Sequence, residues 1–361
     1  MNNFYALIMA GGLGTRLWPM SRSGMPKQLL PLIDNHSMFQ TSLKRIESLF
    51  EPENIFVVTT ESYAEALQAD APQVPKENYI LEPYGKNTAP ALGLALAYIQ
   101  HKDPDATVAI LTADHHIANV EKFCQLLESA YEVAQDDKIV TLGISPSYPA
   151  TGFGYIQQGK PISEVNGFTV YQSERFTEKP DIVRATQFLA SGKYSWNSGM
   201  FIWKVSDALQ DLEQYQPAMY ALLTYLQKVF DTEDYTEKLF DIWEKMPRLS
   251  IDFAIMEKAD NIAVIPVDIG WSDVGSWASL YDILPQDKFG NCIKGEATDN
   301  RVILDTRNTL VYSNRLTVAI GVQDIVVVDT DDVILVCHKD RTQEVKDVVN
   351  YLKDNGNEEY L

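Results

Sequence analysis

One stretch constrains this chain more than any other: an apolar run that meets a cluster of glycines and then a set of cations. Residues 4–9 are apolar enough to form a strand buried on both faces. Gly11, Gly12 and Gly14 follow at once. Three glycines in four positions remove the side chains that keep a ligand off the backbone. Exposed amides in such a turn make a concave anion site. Arg16, Arg22 and Lys27 come next. Arginine offers forked hydrogen bonds and lysine a point charge, so glycine backbone plus three cations points to a polyphosphate.

Three other readings of the stretch are weaker. A P-loop needs Gly-Lys-Ser/Thr after its last glycine, and here Gly14 is followed by Thr15 and Arg16. A dinucleotide fingerprint needs G-x-G-x-x-G running into a helix, with an acidic residue about 20 residues on. Pro19 fits poorly inside a helix, so the loop is expected to continue to Pro26. A tight strand-exit turn with solvated cations explains the glycines but not the cations and prolines together.

Composition narrows the class. With 361 residues the chain has room for one large domain or two, and its hydrophobic fraction of 45% is ordinary for a globular protein. It holds no apolar run of 18 or more residues, so no membrane span is expected. The N-terminus Met1-Asn2-Asn3-Phe4 lacks a basic start and a cleavable apolar region. Cys124, Cys292 and Cys337 are far apart and odd in number, which fits reduced thiols and a cytoplasmic location better than disulfides or zinc. The formal net charge of −20 repels nucleic acid. An anionic small substrate must therefore be drawn to a local cationic pocket, and a divalent cation helps offset charge there.

The pattern along the chain reads as an α/β architecture. Strands are expected at 55–58, 79–81, 107–111 and 139–143, with helices at 38–50, 62–69, 88–100 and 120–135. This alternation implies a Rossmann-like, mostly parallel sheet with helices on both faces. From Gly152 the pattern changes. Segments 152–156 and 168–173 look like an antiparallel pair, 182–191 a helix and 199–204 a strand. Residues 206–246 hold two or three helices, and 262–267 is a further strand. An antiparallel insertion over about 150–260 suits a lid over a sugar. Short strands at 302–304, 310–312, 318–320, 325–328 and 333–336, with polar turns, suggest a small solenoid or β-roll; a compact sandwich is the alternative. A last helix is expected at 342–353, and the polar tail from Asp354 is expected to fray.

The stretch L-I-M-A-G-G-L-G-T-R-L-W-P-M-S-R-S-G-M-P-K-Q resembles the signature of nucleotidyltransferases that make sugar nucleotides. Its Leu17-Trp18-Pro19-Met20-Ser21-Arg22 and Pro26-Lys27-Gln28 variant is similar to the mannose-1-phosphate guanylyltransferases. Further matches fall at 82–90, 112–116, 178–180, 196–201, 251–257 and 271–277. The resemblance implies a catalytic domain over 1–285 and a short left-handed β-helix-like domain over 286–361. It implies nucleotide-binding backbone at Ala10, Gly11, Gly12, Gly14 and Thr15, with Arg16 and Lys27 catalytic. Longer relatives carry a cupin-type isomerase domain; this chain ends before one, so no isomerase activity is expected.

Other candidates add to the loop. Asp114 ends a buried strand, the usual ligand edge of an open sheet, and magnesium takes few protein carboxylates besides phosphate oxygens. Asp273, in Trp271-Ser-Asp-Val-Gly-Ser-Trp277, is the candidate second ligand. Loop-capping or solvated turn aspartates are the plainer reading, and the resemblance favours Mg²⁺. His115 and His116 point to opposite faces of a strand and do not readily chelate together. Their Asp-His-His run echoes a phosphoesterase motif without its companion clusters. Glu82 is able to accept two hydrogen bonds from the N1–H and 2-amino groups of guanine, an edge adenine lacks, with Asn87 and Thr88 supporting base or ribose. A surface glutamate before a helix is the alternative. Glu178 and Lys179 suit sugar hydroxyls and a sugar phosphate, or a solvated pair. Asn197 both donates and accepts to hydroxyls, Gly152 starts a loop whose backbone approaches a sugar, and Asp252 is a sugar contact or an N-cap.

These readings converge on in-line attack by mannose 1-phosphate on the α-phosphorus of GTP, giving GDP-mannose and diphosphate. Catalysis then rests on alignment and charge neutralisation. Another sugar 1-phosphate, or a non-catalytic nucleotide-sugar sensor, are the rival functions. The C-terminal strands are a candidate homodimer surface.

Overall fold

The computed structural model describes residues 3–295 and 301–361. Met1 and Asn2 of the N-terminal reading, and residues 296–300 of the C-terminal strand region, lie outside them. Backbone contacts divide the chain into two compact units that are not continuous in sequence. One comprises Met1–Gly11, Ser42–Ala113 and Ile117–Trp271; the other comprises Gly12–Thr41, Asp114–His116 and Ser272–Leu361.

The first unit is built on a nine-stranded sheet. Its strands are β1 (Phe4–Met9), β2 (Ile55–Thr60), β3 (Tyr79–Glu82), β4 (Thr107–Thr112), then, after the two-residue β5 (His116–Ile117), β6 (Ile139–Ile144), β7 (Tyr155–Val165), β8 (Phe168–Thr177), β9 (Tyr194–Lys204) and β10 (Ile262–Val267). The order is β3-β2-β1-β4-β9-β6-β10-β8-β7, with β7 also pairing β9. β1 lies parallel between β2 and β4, Leu7 facing Phe56 on one side and Ile110 on the other. Neighbours on both edges and both faces explain its unbroken apolar run: Ala6, Leu7 and Ile8 have no exposure.

The sheet is mixed, as β9 runs antiparallel to both β4 and β6. β9 starts five residues before the 199–204 strand read from sequence. The expected lid is not a separate layer, for the β7–β8 hairpin extends the same sheet. Its turn, Asn166-Gly167, has φ of 51° and 83°, the left-handed pair that suits a two-residue hairpin.

Helices α1 (Met38–Lys44), α2 (Glu61–Asp70), α3 (Thr88–Lys102), α4 (Val120–Ala134), α5 (Ile182–Ser191), α6 (Val205–Tyr215), α7 (Pro217–Gln227) and α8 (Tyr235–Lys245) follow the sequence reading closely, although α1 stops at Lys44 rather than residue 50. α3 is apolar nearly all round because it is packed by β2 and β3 and by α6 and α7.

The second unit carries β11 (Trp271–Ser272) at its border, then α9 (Trp277–Ile283) and a coil of short strands. β12 (Cys292–Lys294), β14 (Leu310–Tyr312) and β16 (Ile325–Asp329) stack in parallel, as do β13 (Arg301–Leu304) and β15 (Thr317–Ile320). β17 (Ile334–His338) turns back antiparallel on β16, and α10 (Val345–Asp354) follows. Parallel stacking of successive turns is a β-helix-like coil, not a sandwich. A coil this small buries little by itself. It shares one core with the glycine–cation loop: Leu310, Val326 and Val328 join Leu17, Trp18, Leu30 and Trp277. The tail ends in a 3-10 turn, Glu358–Tyr360, and the Trp18 indole N–H donates to the Tyr360 carbonyl at 2.7 Å.

Candidate active site

The glycine loop behaves as its sequence demands, with one exception. Ala10 is not available to a ligand through its amide, which donates to the Val58 carbonyl. Gly11 and Gly12 are exposed. Gly14 takes φ +68°, and a Cβ there would lie 2.5 Å from the Cβ of Lys27, so glycine is required by conformation and by space. No α-helix follows: Thr15–Leu17 is a single 3-10 turn, as the prolines require.

Lys27 is buried, and it gathers the two candidate metal ligands. Its Nζ donates to Asp114 Oδ2 at 2.8 Å and to the main-chain oxygen of Asp273 at 2.5 Å. Desolvation pulls the Asp114 carboxyl up, but Lys27 and then His115 outweigh it and hold the group below the usual carboxylate range. Asp273 Oδ1 accepts from the Gly275 amide at 3.1 Å. A Cβ at Gly275 would collide with Asp273 Oδ2. Beside it Val274 is fully buried with φ of 46°, a conformation a β-branched residue adopts only under tertiary constraint. Lys27 thus meets Asp114 through its carboxylate and Asp273 through its main-chain oxygen, and oxygen donors of this kind suit a hard cation such as Mg²⁺.

In the first unit Glu82 ends β3 with 4% exposure. The surface alternative is thereby excluded. Its Oε2 is buried without a hydrogen-bond partner among the described residues, and its Oε1 is 3.8 Å from where a Cβ on Gly11 would sit. Burial pushes this carboxyl up to about 7, against the one backbone N–H, from Lys86, that favours its charged form. Asn87, at φ 76°, caps α3 through its side-chain oxygen. Thr88 turns its hydroxyl inward, accepting from the Ile251 amide at 2.8 Å, a structural bond that the sequence did not reveal.

A second polar group surrounds Glu178 in the same unit. Its side chain is 7% exposed and accepts from Lys179 Nζ at 2.6 Å, while Lys179, at φ 44°, extends toward solvent. Asn197 Nδ2 donates to Asp252 Oδ1 at 3.0 Å. Asp252 is the first residue of a π-helical turn whose N-cap position is Ile251, so the N-cap alternative falls. Burial, then the negative charge of Glu178, push Asp252 up to about 6. The expectation for Gly152 concerned a sugar; within the protein itself the tight packing in this loop is at Gly154. A Cβ on Gly152 would meet nothing, whereas one on Gly154 would lie 2.5 Å from Glu178 Oε2 and 3.2 Å from Asn197 Cβ. The paired glycines of Gly152-Phe153-Gly154 were the signal, and only packing distinguishes them.

Of the remaining loop cations, Arg22 forks onto Asp332 at 2.8 and 3.1 Å and Arg16 donates to Gln343 Oε1 at 2.8 Å. His115 Nε2 lies 4.0 Å from Asp114 Oδ1. The three cysteines are free.

Known proteins resemble this chain in sequence and in fold. The nucleotidyl transferase family model matches residues 5–288, and the MannoseP isomerase/GMP-like beta-helix domain model matches 299–352. The xanthan biosynthesis protein XanB of Xanthomonas campestris pv. campestris is 40% identical over 99% of this chain and 75% of its own length. A mannose-1-phosphate guanylyltransferase of Klebsiella pneumoniae is 39% identical over 98% of this chain and 75% of its own. A crystal structure from Thermus thermophilus, named as a mannose-1-phosphate geranyltransferase, superposes with a TM-score of 0.87 at 32% identity, over 97% of this chain and 99% of that one. Likeness of this extent, in sequence and in fold, places the chain in the nucleotidyl transferase family, beside the mannose-1-phosphate guanylyltransferases.

Proposed function

We propose that the protein joins GTP and α-D-mannose 1-phosphate to form GDP-mannose, releasing diphosphate. The observation that carries this reading is Glu82, a buried carboxylate with an unpartnered oxygen beside the backbone of Gly11. An orphaned buried acceptor costs free energy until a donor reaches it. Guanine offers two adjacent N–H donors; adenine does not, and a geranyl group has no such edge.

The remaining residues divide the work. Gly11, Gly12, Gly14 and Thr15 present the backbone to the triphosphate, Asn87 holds the loop ahead of α3, and Arg16 and Lys27 offset its charge. Glu178 and the Asn197–Asp252 pair take the sugar hydroxyls, with Lys179 for the sugar phosphate. An oxygen of that phosphate attacks the α-phosphorus, the bond to the β-phosphate bridging oxygen breaks, and its electrons leave with diphosphate. No side-chain nucleophile is needed, so alignment and charge neutralisation supply the rate. Asp114 and Asp273 are the residues to hold Mg²⁺, which when bound adds positive charge at the phosphates.

We further read the protein as a cytoplasmic homodimer. Val302, Leu304, Val318 and Ile320 stand outward in register on β13 and β15, each more than 40% exposed, an apolar face of the kind that a second copy covers. Light scattering of the purified protein tests the dimer. Diphosphate release, scored over a panel of nucleoside triphosphates and sugar 1-phosphates with Mg²⁺, tests the activity. GTP with mannose 1-phosphate is expected to exceed every other pair. Binding of GDP-mannose with no diphosphate release from any pair would establish a sensor instead.

A further inference from the structure

Within the second unit the three loop cations are held unequally. Arg22 is neutralised by the Asp332 carboxylate and Lys27 by Asp114. Arg16 is held by a neutral acceptor, the amide oxygen of Gln343, 327 positions later in the chain. Both ends of this contact are fixed. Arg16 sits in the 3-10 turn set by the left-handed Gly14 and anchored by the fully buried Leu17. Gln343 lies in the 3-10 segment Lys339–Glu344, anchored by the buried Thr342 and by the Lys339 amide on the Asp324 carbonyl at 2.8 Å. The adjacent carboxylate, Glu344, is taken by a fork from Arg341.

A neutral oxygen aims a guanidinium without cancelling its charge. A carboxylate in this position would add the attraction of an opposite charge to the hydrogen bond and so compete with an incoming phosphate. We propose that Gln343 is a positioning residue for Arg16: it keeps the guanidinium oriented, with no ion pair among the described residues, until a nucleoside triphosphate takes it over. The proposal rests on the reading that Arg16 meets the triphosphate. The C-terminal segment thereby takes part in nucleotide capture, although none of the loop motifs lies in it.

The test uses the full chain with GTP, mannose 1-phosphate and Mg²⁺. Gln343→Glu holds Arg16 as an ion pair in the free enzyme only, so KM for GTP is expected to rise roughly tenfold while kcat stays within about twofold. Raising the salt from low to about 0.5 M is expected to shrink that rise, since screening weakens an exposed pair. Gln343→Met, which keeps length but removes the acceptor, is expected to raise KM about threefold without salt dependence. In an Arg16→Ala background neither substitution is expected to change KM. An equal rise in that background makes the effect structural and overturns the proposal. So does an unchanged KM in Gln343→Glu when Arg16→Ala alone is impaired. If Arg16→Ala leaves GTP turnover intact, the role of Arg16 fails first and Gln343 falls with it.

Discussion

At the scale of single residues, Glu82 and Lys27 carry the most weight. Burial pushes Glu82 up to about 7 in the ligand-free protein, and in the proposed complex the two guanine donors would favour its charged form. Affinity for GTP is therefore expected to rise between pH 5.5 and about 7 and then level off, by up to one decade per pH unit. Phosphate ionisation contributes equally to a Glu82→Gln variant, so the difference between the two isolates the carboxylate. By calorimetry that variant is expected to bind roughly 10- to 100-fold more weakly at pH 8 and to approach the parent below pH 6. Parallel curves would remove Glu82 from the base site. Lys27→Ala removes one buried cation and frees Asp114, and is expected to cost on the order of 3 kcal/mol in the chemical step. Single-turnover rates should fall roughly a hundredfold with GTP affinity changed far less. Intact turnover would leave Lys27 a structural tie alone. The residue types at these positions were readable because chemistry limits them; their burial and pairing were not, because both depend on strands distant in sequence.

At the scale of elements, the boundaries of most helices and strands were legible. Periodicity and capping are local, and α5 and β10 occur at the expected residues. Strand partners are not local. The segment around 199–204 reads as a strand by pattern, but its place between β4 and β6 is fixed by pairings with residues far earlier in the chain. Gly154 shows the same limit. It stands just ahead of β7 against Glu178 and Asn197, which come from the end of β8 and from β9. Gly154→Ala places a methyl 2.5 Å from Glu178 Oε2, so the Glu178 carboxylate must shift, at a cost of about 1–3 kcal/mol. KM for mannose 1-phosphate is expected to rise roughly tenfold while KM for GTP stays within about twofold. A matched rise in both would show a general loss of structure and not a sugar-site defect.

At the scale of the whole molecule, charge sets the response to pH. The chain carries a formal net charge of −20, and burial raises Glu82 to about 7 and Asp252 and Asp211 to about 6. A carboxyl raised on folding binds its proton more tightly in the folded state. It therefore stabilises the fold at low pH and loses that contribution as pH rises through its folded value. Asp114 acts in the opposite sense, but only in the acid range below its ordinary value. The ligand-free melting temperature is accordingly expected to fall by a few degrees between pH 6 and pH 8, measured by scanning calorimetry. An Asp211→Asn variant should flatten part of that slope, and a flat or rising parental profile would contradict it.

By itself the amino-acid sequence determined which segments become strands, helices and turns, and which residues have the chemistry to hold phosphate, metal and sugar. Backbone sterics, hydrophobic period and side-chain functionality are properties of a few neighbouring residues. Only the tertiary structure decided that Lys27, Asp114 and Asp273 meet. It also decided that one buried oxygen of Glu82 is left without a partner among the described residues and that Gln343 holds Arg16. Those outcomes depend on long-range strand pairing and on the core that a small coil must share with the loop, and no local pattern encodes either.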